Sequence, residues 1–162
     1  MLPPGLAYIS LSPKAQDAVK ASNLPKYYFD LKKALKSYDK NDTPFTPAVS
    51  LIVGLAESLR YIQEVKIENL WSKFEKMSKA ACAGAKALGL EVFSKVPSAS
   101  VTAIMPPRGM KSSEIVKKMR KDFGVSIAAG QGEETKDKIF RVAHMGWINE
   151  QDLIMCFSLL EK

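Results

Sequence analysis

Apolar side chains recur every three to four residues over two long stretches of the chain, which is the spacing of one face of a helix. The first stretch covers residues 49–62 and the second covers residues 67–88. Gly89 is positioned to end the second helix, because glycine adopts the left-handed conformation of a helix C-terminus without strain. The pattern places Trp71 on the apolar side of this helix. The small residues at 80–84 predict a close approach to another element.

Shorter elements are predicted before the first long helix. Residues 6–11 form a short apolar run bounded by turn residues, which favours a buried strand. Ser12 followed by proline is typical of a helix N-terminus, so a helix is predicted at residues 13–21. A second, partly amphipathic helix is predicted at residues 27–36. The polar composition of residues 37–47 indicates a loop and the best boundary between domains.

After Gly89 the pattern changes to alternating short strands and helices. Strands are predicted at residues 91–93, 101–105, 125–127 and 139–143, with helices at residues 112–123 and 149–160. We therefore expect an α/β protein whose small α+β domain packs helices on one face of a mostly antiparallel sheet.

The size and charge of the chain narrow its possible functions. With 162 residues and 46% hydrophobic content, it can form one core, or one small domain plus a piece of another, but no complete two-domain enzyme. No apolar run reaches the roughly 20 residues of a membrane span, and no secretory signal is evident. A cytoplasmic location without membrane association is the resulting expectation. The formal net charge is +7, but the lysines lie beside acidic residues without interleaved arginine and aromatic residues. We therefore expect solvated helix faces and no nucleic-acid partner.

Cysteine and histidine usage gives no sign of a metal site. Cys82 and Cys156 lie far apart in apolar stretches and have no ligand partner at a standard spacing. We expect both to be reduced, buried and structural. His144 is expected to be a packing or turn residue.

Arg141 is the most unusual polar residue of the chain, since it interrupts a short apolar strand that follows a glycine-bearing loop. Burying an arginine without a partner is costly. Its planar fork suits a carboxylate, and a substrate carboxylate is one possible partner. An internal ion pair with Glu133 or Glu134 is the alternative, and the sequence leaves both open.

Thr46 is a second candidate for binding. The Thr46-Pro47 pair is predicted to cap the first long helix. A threonine there places a hydroxyl and free backbone N–H groups at the positive end of the helix dipole, where anions bind. Capping the helix without binding a ligand is the alternative.

Three stretches together resemble one family. They are Met1-Leu-Pro-Pro-Gly through Ser12, Thr43-Pro-Phe-Thr-Pro-Ala-Val-Ser with Gly54-Leu-Ala-Glu-Ser-Leu, and Ala128-Ala-Gly-Gln-Gly through Arg141-Val-Ala-His-Met-Gly. In order and spacing they resemble class V aminotransferases, pyridoxal-phosphate enzymes of the serine/alanine:pyruvate or glyoxylate type. The resemblance implies the C-terminal part of a fold-type I aminotransferase.

The resemblance also implies roles for particular residues. Arg141 would hold the carboxylate of the amino acid or keto acid substrate. Thr46 would bind the phosphate of pyridoxal phosphate in the neighbouring subunit of a homodimer, and Thr43 could offer another polar contact. Asp137 and Ala143 depart from the family, since glycine is common at both positions.

By the same resemblance, residues 1–46 would be the remnant of the large cofactor domain, 47–64 an interdomain helix and 65–162 the small domain. The lysine that forms the Schiff base would fall upstream of Met1, so the chain would carry no catalytic residue. We therefore expect the isolated chain to be inactive and to bind little or no cofactor. A free-standing basic α/β module for binding or dimerisation is the alternative.

Overall fold

The computed structural model describes residues 2–162; Met1, the first residue of the predicted large-domain remnant, lies outside the described residues. The chain divides into an N-terminal unit, Leu2–Arg60, and a C-terminal unit, Tyr61–Lys162. The predicted division into residues 1–46, 47–64 and 65–162 stays a prediction. None of the described helices is both long enough and apolar enough to cross a membrane.

Three helices begin in the N-terminal unit: α1 (Pro13–Ala21), α2 (Leu31–Tyr38) and α3 (Val49–Val65), the last of which ends in the C-terminal unit. The predicted cap of α1 is confirmed. Ser12 has extended backbone angles, and its hydroxyl accepts a hydrogen bond from the backbone N–H of Ala15 at 3.3 Å. One of the unpaired donors at the helix start is thereby satisfied.

The predicted start of α2 at residue 27 is wrong. Asp30 has extended backbone angles, and its Oδ1 accepts hydrogen bonds from the backbone N–H groups of Lys32 at 2.9 Å and Lys33 at 3.4 Å. This is the geometry of an N-cap residue, so the helix begins at Leu31.

The predicted buried strand at residues 6–11 is also wrong. This segment forms no strand, and Tyr8 and Ile9 are 70% and 65% exposed. A strand needs a neighbour to pair its backbone groups. The described residues of the N-terminal unit contain no strand, so this one has no partner there.

The C-terminal unit contains four further helices: α4 (Ile67–Ala87), α5 (Ser112–Phe123), α6 (Gly132–Thr135) and α7 (Glu150–Leu160). The predictions of α4, α5 and α7 are confirmed to within a residue at each end, whereas the one-turn helix α6 was not predicted. Gly89 ends α4 as predicted. It adopts a φ of +71°, and Leu90 N–H donates to the carbonyl of Ala85 at 2.9 Å.

The sequence predicts two features of α4, namely Trp71 on its apolar side and a close approach at its small residues. Trp71 does not lie on its buried side, since it is 60% exposed. The close approach at the small residues is confirmed. A Cβ atom built on Gly84 would lie 3.1 Å from the ring of Phe157 in α7. Helices α4 and α7 therefore approach each other closely at Gly84.

The sheet of the C-terminal unit has three strands, β1 (Val101–Ile104), β2 (Ala128–Ala129) and β3 (Phe140–Ala143). Their order is β1-β3-β2, and both pairs are antiparallel, as predicted. Residues 91–93 add only an isolated bridge between Val92 and Ile104.

The predicted strand at residues 125–127 is wrong, because pairing with β3 starts at Ala128. Gly124 adopts a φ of +70°, and Val125 N–H donates to the carbonyl of Met119 at 3.1 Å. These residues thus complete the C-terminus of α5 before the chain can join the sheet.

One face of the sheet carries the core. Phe140 and Val142 of β3 and Ile104 of β1 are buried against residues of α4, α5 and α7, including Met77, Ala81, Met119 and Leu153. The combination of helices with a sheet confirms the predicted α/β class.

Both cysteines are free, but they differ in exposure. Cys156 is buried as predicted, and burial raises the pKa of its thiol to about 11. Cys82 is only half-buried, so the prediction of a buried side chain fails for it. His144 is fully buried, which confirms its role in packing.

Candidate functional site

Arg141 lies on the face of β3 that points away from the core. Phe140 and Val142 on either side of it are buried, so strand alternation turns the arginine to the opposite face, where it is half-buried. Its guanidinium reaches across to β2. Nε and Nη2 donate to the carbonyl oxygen of Ala129 at 3.2 and 3.0 Å.

Within residues 2–162, the other edge of the guanidinium forms no hydrogen bond. Arginine has five N–H donors, and two of them meet the Ala129 carbonyl. The edge formed by Nη1 and the second N–H of Nη2 keeps two parallel donors, which match the two oxygens of a carboxylate. A neutral carbonyl thus orients Arg141 without neutralising its charge.

The alternative of an internal ion pair is wrong for the described residues. Glu133 and Glu134 lie in α6 and are exposed, and neither forms an ion pair with Arg141. No carboxylate within residues 2–162 neutralises the guanidinium. Its charge remains available to an external anion.

A groove of about 660 Å³ lies beside Arg141 within the C-terminal unit. Its walls include the apolar side chains of Ile127, Met145 and Ile148. Asp152 also lines the groove, but its Oδ2 accepts a hydrogen bond from the backbone N–H of Asn149 at 2.9 Å. Mostly apolar walls screen an arginine–carboxylate contact less than open water does.

Thr46 does not cap α3 as predicted. The helix begins at Val49, so the cap position falls at Ala48. Thr46 is exposed, and its hydroxyl forms no hydrogen bond within the described residues. The hydroxyl therefore precedes the N-terminus of a 17-residue helix with its donor unused.

Thr43 is less free. Its hydroxyl donates to the carbonyl of Phe45 at 2.6 Å, and its backbone N–H donates to Asp42 Oδ1 at 2.7 Å. A nearby carboxylate repels an anion. Within the described residues, the hydroxyl of Thr43 is therefore engaged, whereas that of Thr46 is not.

Sequence reasoning missed the groups that hold Arg141 and His144. The carbonyl of Ala129 leaves no side-chain signature, and the glycine after it was noted only as part of a turn. Thr102 was not singled out either, although its Oγ1 lies 2.9 Å from Nε2 of His144 in the core. Within residues 2–162, no group of three or more His, Cys, Asp or Glu side chains could hold a metal ion.

Solved structures define the class of protein to which this fold belongs. The chain superposes on a pyridoxamine–pyruvate aminotransferase from Mesorhizobium loti with a TM-score of 0.79 and 28% identity, over 94% of this chain and 40% of that one. A ureidoglycine–glyoxylate aminotransferase from Bacillus subtilis gives a TM-score of 0.82 and 26% identity, over 91% and 40%. The fold is that of part of an aminotransferase.

Sequence relatives narrow the class to a family. A serine–glyoxylate aminotransferase from Arabidopsis thaliana is 34% identical over 99% of this chain and 41% of its own length. An L-aspartate–glyoxylate aminotransferase from Paracoccus denitrificans is 34% identical over 93% and 38%. No protein-family model matches the chain. The chain is homologous to the class V pyridoxal-phosphate aminotransferases of the serine/alanine–glyoxylate type.

The chain spans about two fifths of the length of the curated relatives it matches, which is consistent with a C-terminal part. A relative from Anabaena cylindrica, 40% identical over 99% of this chain and 42% of its own length, is named a soluble hydrogenase 42 kDa subunit.

Proposed function

We propose that the chain is the carboxylate-binding C-terminal part of a pyridoxal-phosphate-dependent aminotransferase. The whole enzyme would transfer an amino group between a small amino acid, such as serine or alanine, and pyruvate or glyoxylate. The free edge of the Arg141 guanidinium is the observation that carries this proposal. The amino donor and the keto acceptor each carry a carboxylate, so one arginine can bind the two substrates in turn.

The described residues fit part of a cofactor site. When bound, pyridoxal phosphate supplies the electron sink for amino-group transfer. Thr46 can donate its unused hydroxyl to the phosphate, near the positive end of the α3 dipole. Thr43 would first have to release the carbonyl of Phe45, so we assign it the weaker contact. In a homodimer, these threonines would serve the site of the neighbouring subunit.

The 162-residue chain by itself should not catalyse transamination. The resemblance puts the lysine that anchors the cofactor, and that moves the proton, outside this chain. Purified chain mixed with alanine or serine, glyoxylate and pyridoxal phosphate should therefore yield no glycine above the level of the cofactor alone. Enzymatic turnover under these conditions would contradict the assignment.

Replacing Arg141 by alanine in the full-length enzyme tests its role. We expect KM for the amino acid and the keto acid to rise by roughly one to two orders of magnitude, since hydrogen bonds to a charged group are lost. Arg141→Lys is the matched control. It keeps the charge but not the two-point geometry, so its KM should lie in between. An unchanged KM in Arg141→Ala would remove the arginine from the site.

A second candidate function rests on the Anabaena cylindrica relative, whose identity to this chain exceeds that of the two aminotransferases named above. On that basis the protein would be a subunit of a soluble hydrogenase. Two assays on the same full-length preparation separate the two candidate functions. One measures hydrogen uptake with a viologen dye, and the other measures amino-group transfer to glyoxylate. Aminotransferase activity without hydrogen uptake supports the first proposal.

A further inference from the structure

We propose that Gly130 is a positioning residue for Arg141. The absence of a side chain at residue 130 allows the preceding carbonyl, that of Ala129, to meet the guanidinium. The inference rests on the proposed role of Arg141 in binding the substrate carboxylate. Gly130 touches neither substrate nor cofactor in this scheme and acts through the arginine.

Backbone atoms of Thr135 occupy the space that a side chain at residue 130 would need. A Cβ atom built there would overlap the carbonyl oxygen of Thr135, would lie 2.6 Å from the carbonyl carbon of that residue, and would lie 3.0 Å from Cγ1 of Ile139. The atoms of Thr135 belong to the C-terminal end of α6 and cannot rotate away as a flexible side chain can. Adding a methyl group must therefore shift α6 or β2.

Hydrogen bonds hold the segment on both sides of this contact. Gly130 N–H donates to the carbonyl of Ile139 at 2.8 Å, and Ile139 N–H donates to the carbonyl of Thr135 at 3.3 Å. Ile139 is itself buried. The loop from Ala129 to Ile139 thus closes on itself through Gly130. A displacement at residue 130 is passed on to the adjoining Ala129 carbonyl.

Arg141 is sensitive to such a displacement. Its two contacts with Ala129 are 3.0 and 3.2 Å long, and the longer one is at the upper end of ordinary N–H···O distances. A shift of about 1 Å would break both and leave a long side chain to sample several rotamers. Ordering that side chain again on binding costs free energy, which weakens carboxylate binding.

Gly132 is a matched control in the same loop. It adopts a φ of +72°, but a Cβ atom built there meets nothing within 4 Å. Gly132→Ala therefore strains the backbone of α6 without the overlap that Gly130→Ala produces. The two variants separate general damage to the loop from displacement of the Ala129 carbonyl.

A double-mutant cycle in the full-length enzyme tests the inference. Gly130→Ala should raise KM for amino and keto acid roughly tenfold, the effect of losing about one hydrogen bond to a charged group, with a smaller change in kcat. In an Arg141→Ala background the same substitution should add nothing, because its effect passes through the arginine. Gly132→Ala should leave KM close to that of the unsubstituted enzyme.

The outcomes separate this inference from the proposed function. Arg141→Ala without an effect on KM overturns the proposed function. An effect of Arg141→Ala, with Gly130→Ala as harmless as Gly132→Ala, overturns the positioning role alone. A further rise of KM from Gly130→Ala in the Arg141→Ala background does the same.

If Gly130→Ala does not fold, the unsubstituted chain still tests the hydrogen bond on which the inference depends. Solvent exchange of the Arg141 Nε–H, followed by nuclear magnetic resonance, should be slower than that of the exposed Arg108, because the Ala129 carbonyl holds the proton. Equal exchange rates overturn the inference.

Discussion

Asp137 combines an unfavourable backbone conformation with a useful side chain. Its φ is +58°, a region that glycine enters without strain, and glycine is common at this position in the family that the chain resembles. Its Oδ1 accepts from the backbone N–H of Ser113 at 3.3 Å, and its carbonyl accepts from that of Ser112. Hydrogen bonding from Ser113 lowers the pKa of the Asp137 carboxyl. Aspartate therefore caps α5, which a glycine could do only through its carbonyl.

The lowered pKa of His144 predicts that the stability of the C-terminal unit depends on pH. Burial lowers the pKa of its imidazole below the ordinary value, although the nearby carbonyls of Ala99 and His144 partly oppose this. Nδ1 forms no hydrogen bond within the described residues. The unfolded chain binds a proton at a higher pH than the folded one, so this contribution is present above about pH 6.5 and is lost as the pH falls.

We therefore expect the urea concentration at the unfolding midpoint to decrease when the pH is lowered from 7 to 5.5. His144 is the only histidine of the chain, and carboxyl groups titrate mostly below this range. His144→Gln keeps a polar group opposite Thr102 but removes the titration, so its midpoint should change less over the same interval. An equal change in both proteins would contradict the assignment to His144.

The contact between α4 and α7 depends on the absence of a side chain at Gly84. The ring of Phe157 lies where a larger residue would extend. Gly84→Leu should destabilise the C-terminal unit by about 1–3 kcal/mol through overpacking, measured by urea unfolding. Ala83 is exposed on the same helix, so Ala83→Leu should be nearly neutral. Equal destabilisation by both substitutions would show that Phe157 does not limit the space.

The helices were predictable to the extent that their signals are local. The apolar period and Gly89 define α4, and the predicted helix at residues 149–160 begins one residue late because Asn149 is its N-cap and accepts from the backbone N–H of Asp152. Strands at residues 6–11 and 125–127 were predicted wrongly because a strand depends on a partner that a local pattern does not contain. At four residues, α6 is too short to show a period.

The candidate site was predictable only in part, for a similar reason. Arg141 stood out because a charge inside an apolar strand is rare. Its acceptor is a backbone carbonyl twelve residues away, which any residue type could provide. Thr46 was assigned to the cap because proline favours the first helical position, whereas α3 begins at Val49, two residues later.

At the scale of the whole molecule, the two units differ in how much they bury. Helices α1, α2 and α3 contain no buried residue, whereas α4 alone has five, among them Met77 and Ala81. Burial of apolar surface is the main source of stability. Local opening should therefore cost less free energy in the N-terminal unit.

Amide hydrogen exchange on the isolated chain should reveal this difference. We expect residues 2–45 to exchange much faster than the amides of β3 and the buried turns of α4. If the chain is part of a longer aminotransferase as proposed, that whole protein is the control, since its further residues would add contacts there and slow the exchange. Uniform protection of the isolated chain would instead show that it is a self-sufficient unit.

Both tryptophan side chains are largely exposed. Trp71 and Trp147 are 60% and 73% exposed, and the nearest aromatic contact of Trp147 is the ring of Tyr61 at 5.2 Å. Their indole rings already emit from a largely aqueous environment in the folded protein. Intrinsic fluorescence will therefore change little when the sheet and helices come apart. Circular dichroism is the better optical signal for every unfolding midpoint proposed above, and an unchanged emission maximum would say nothing about whether the core remains intact.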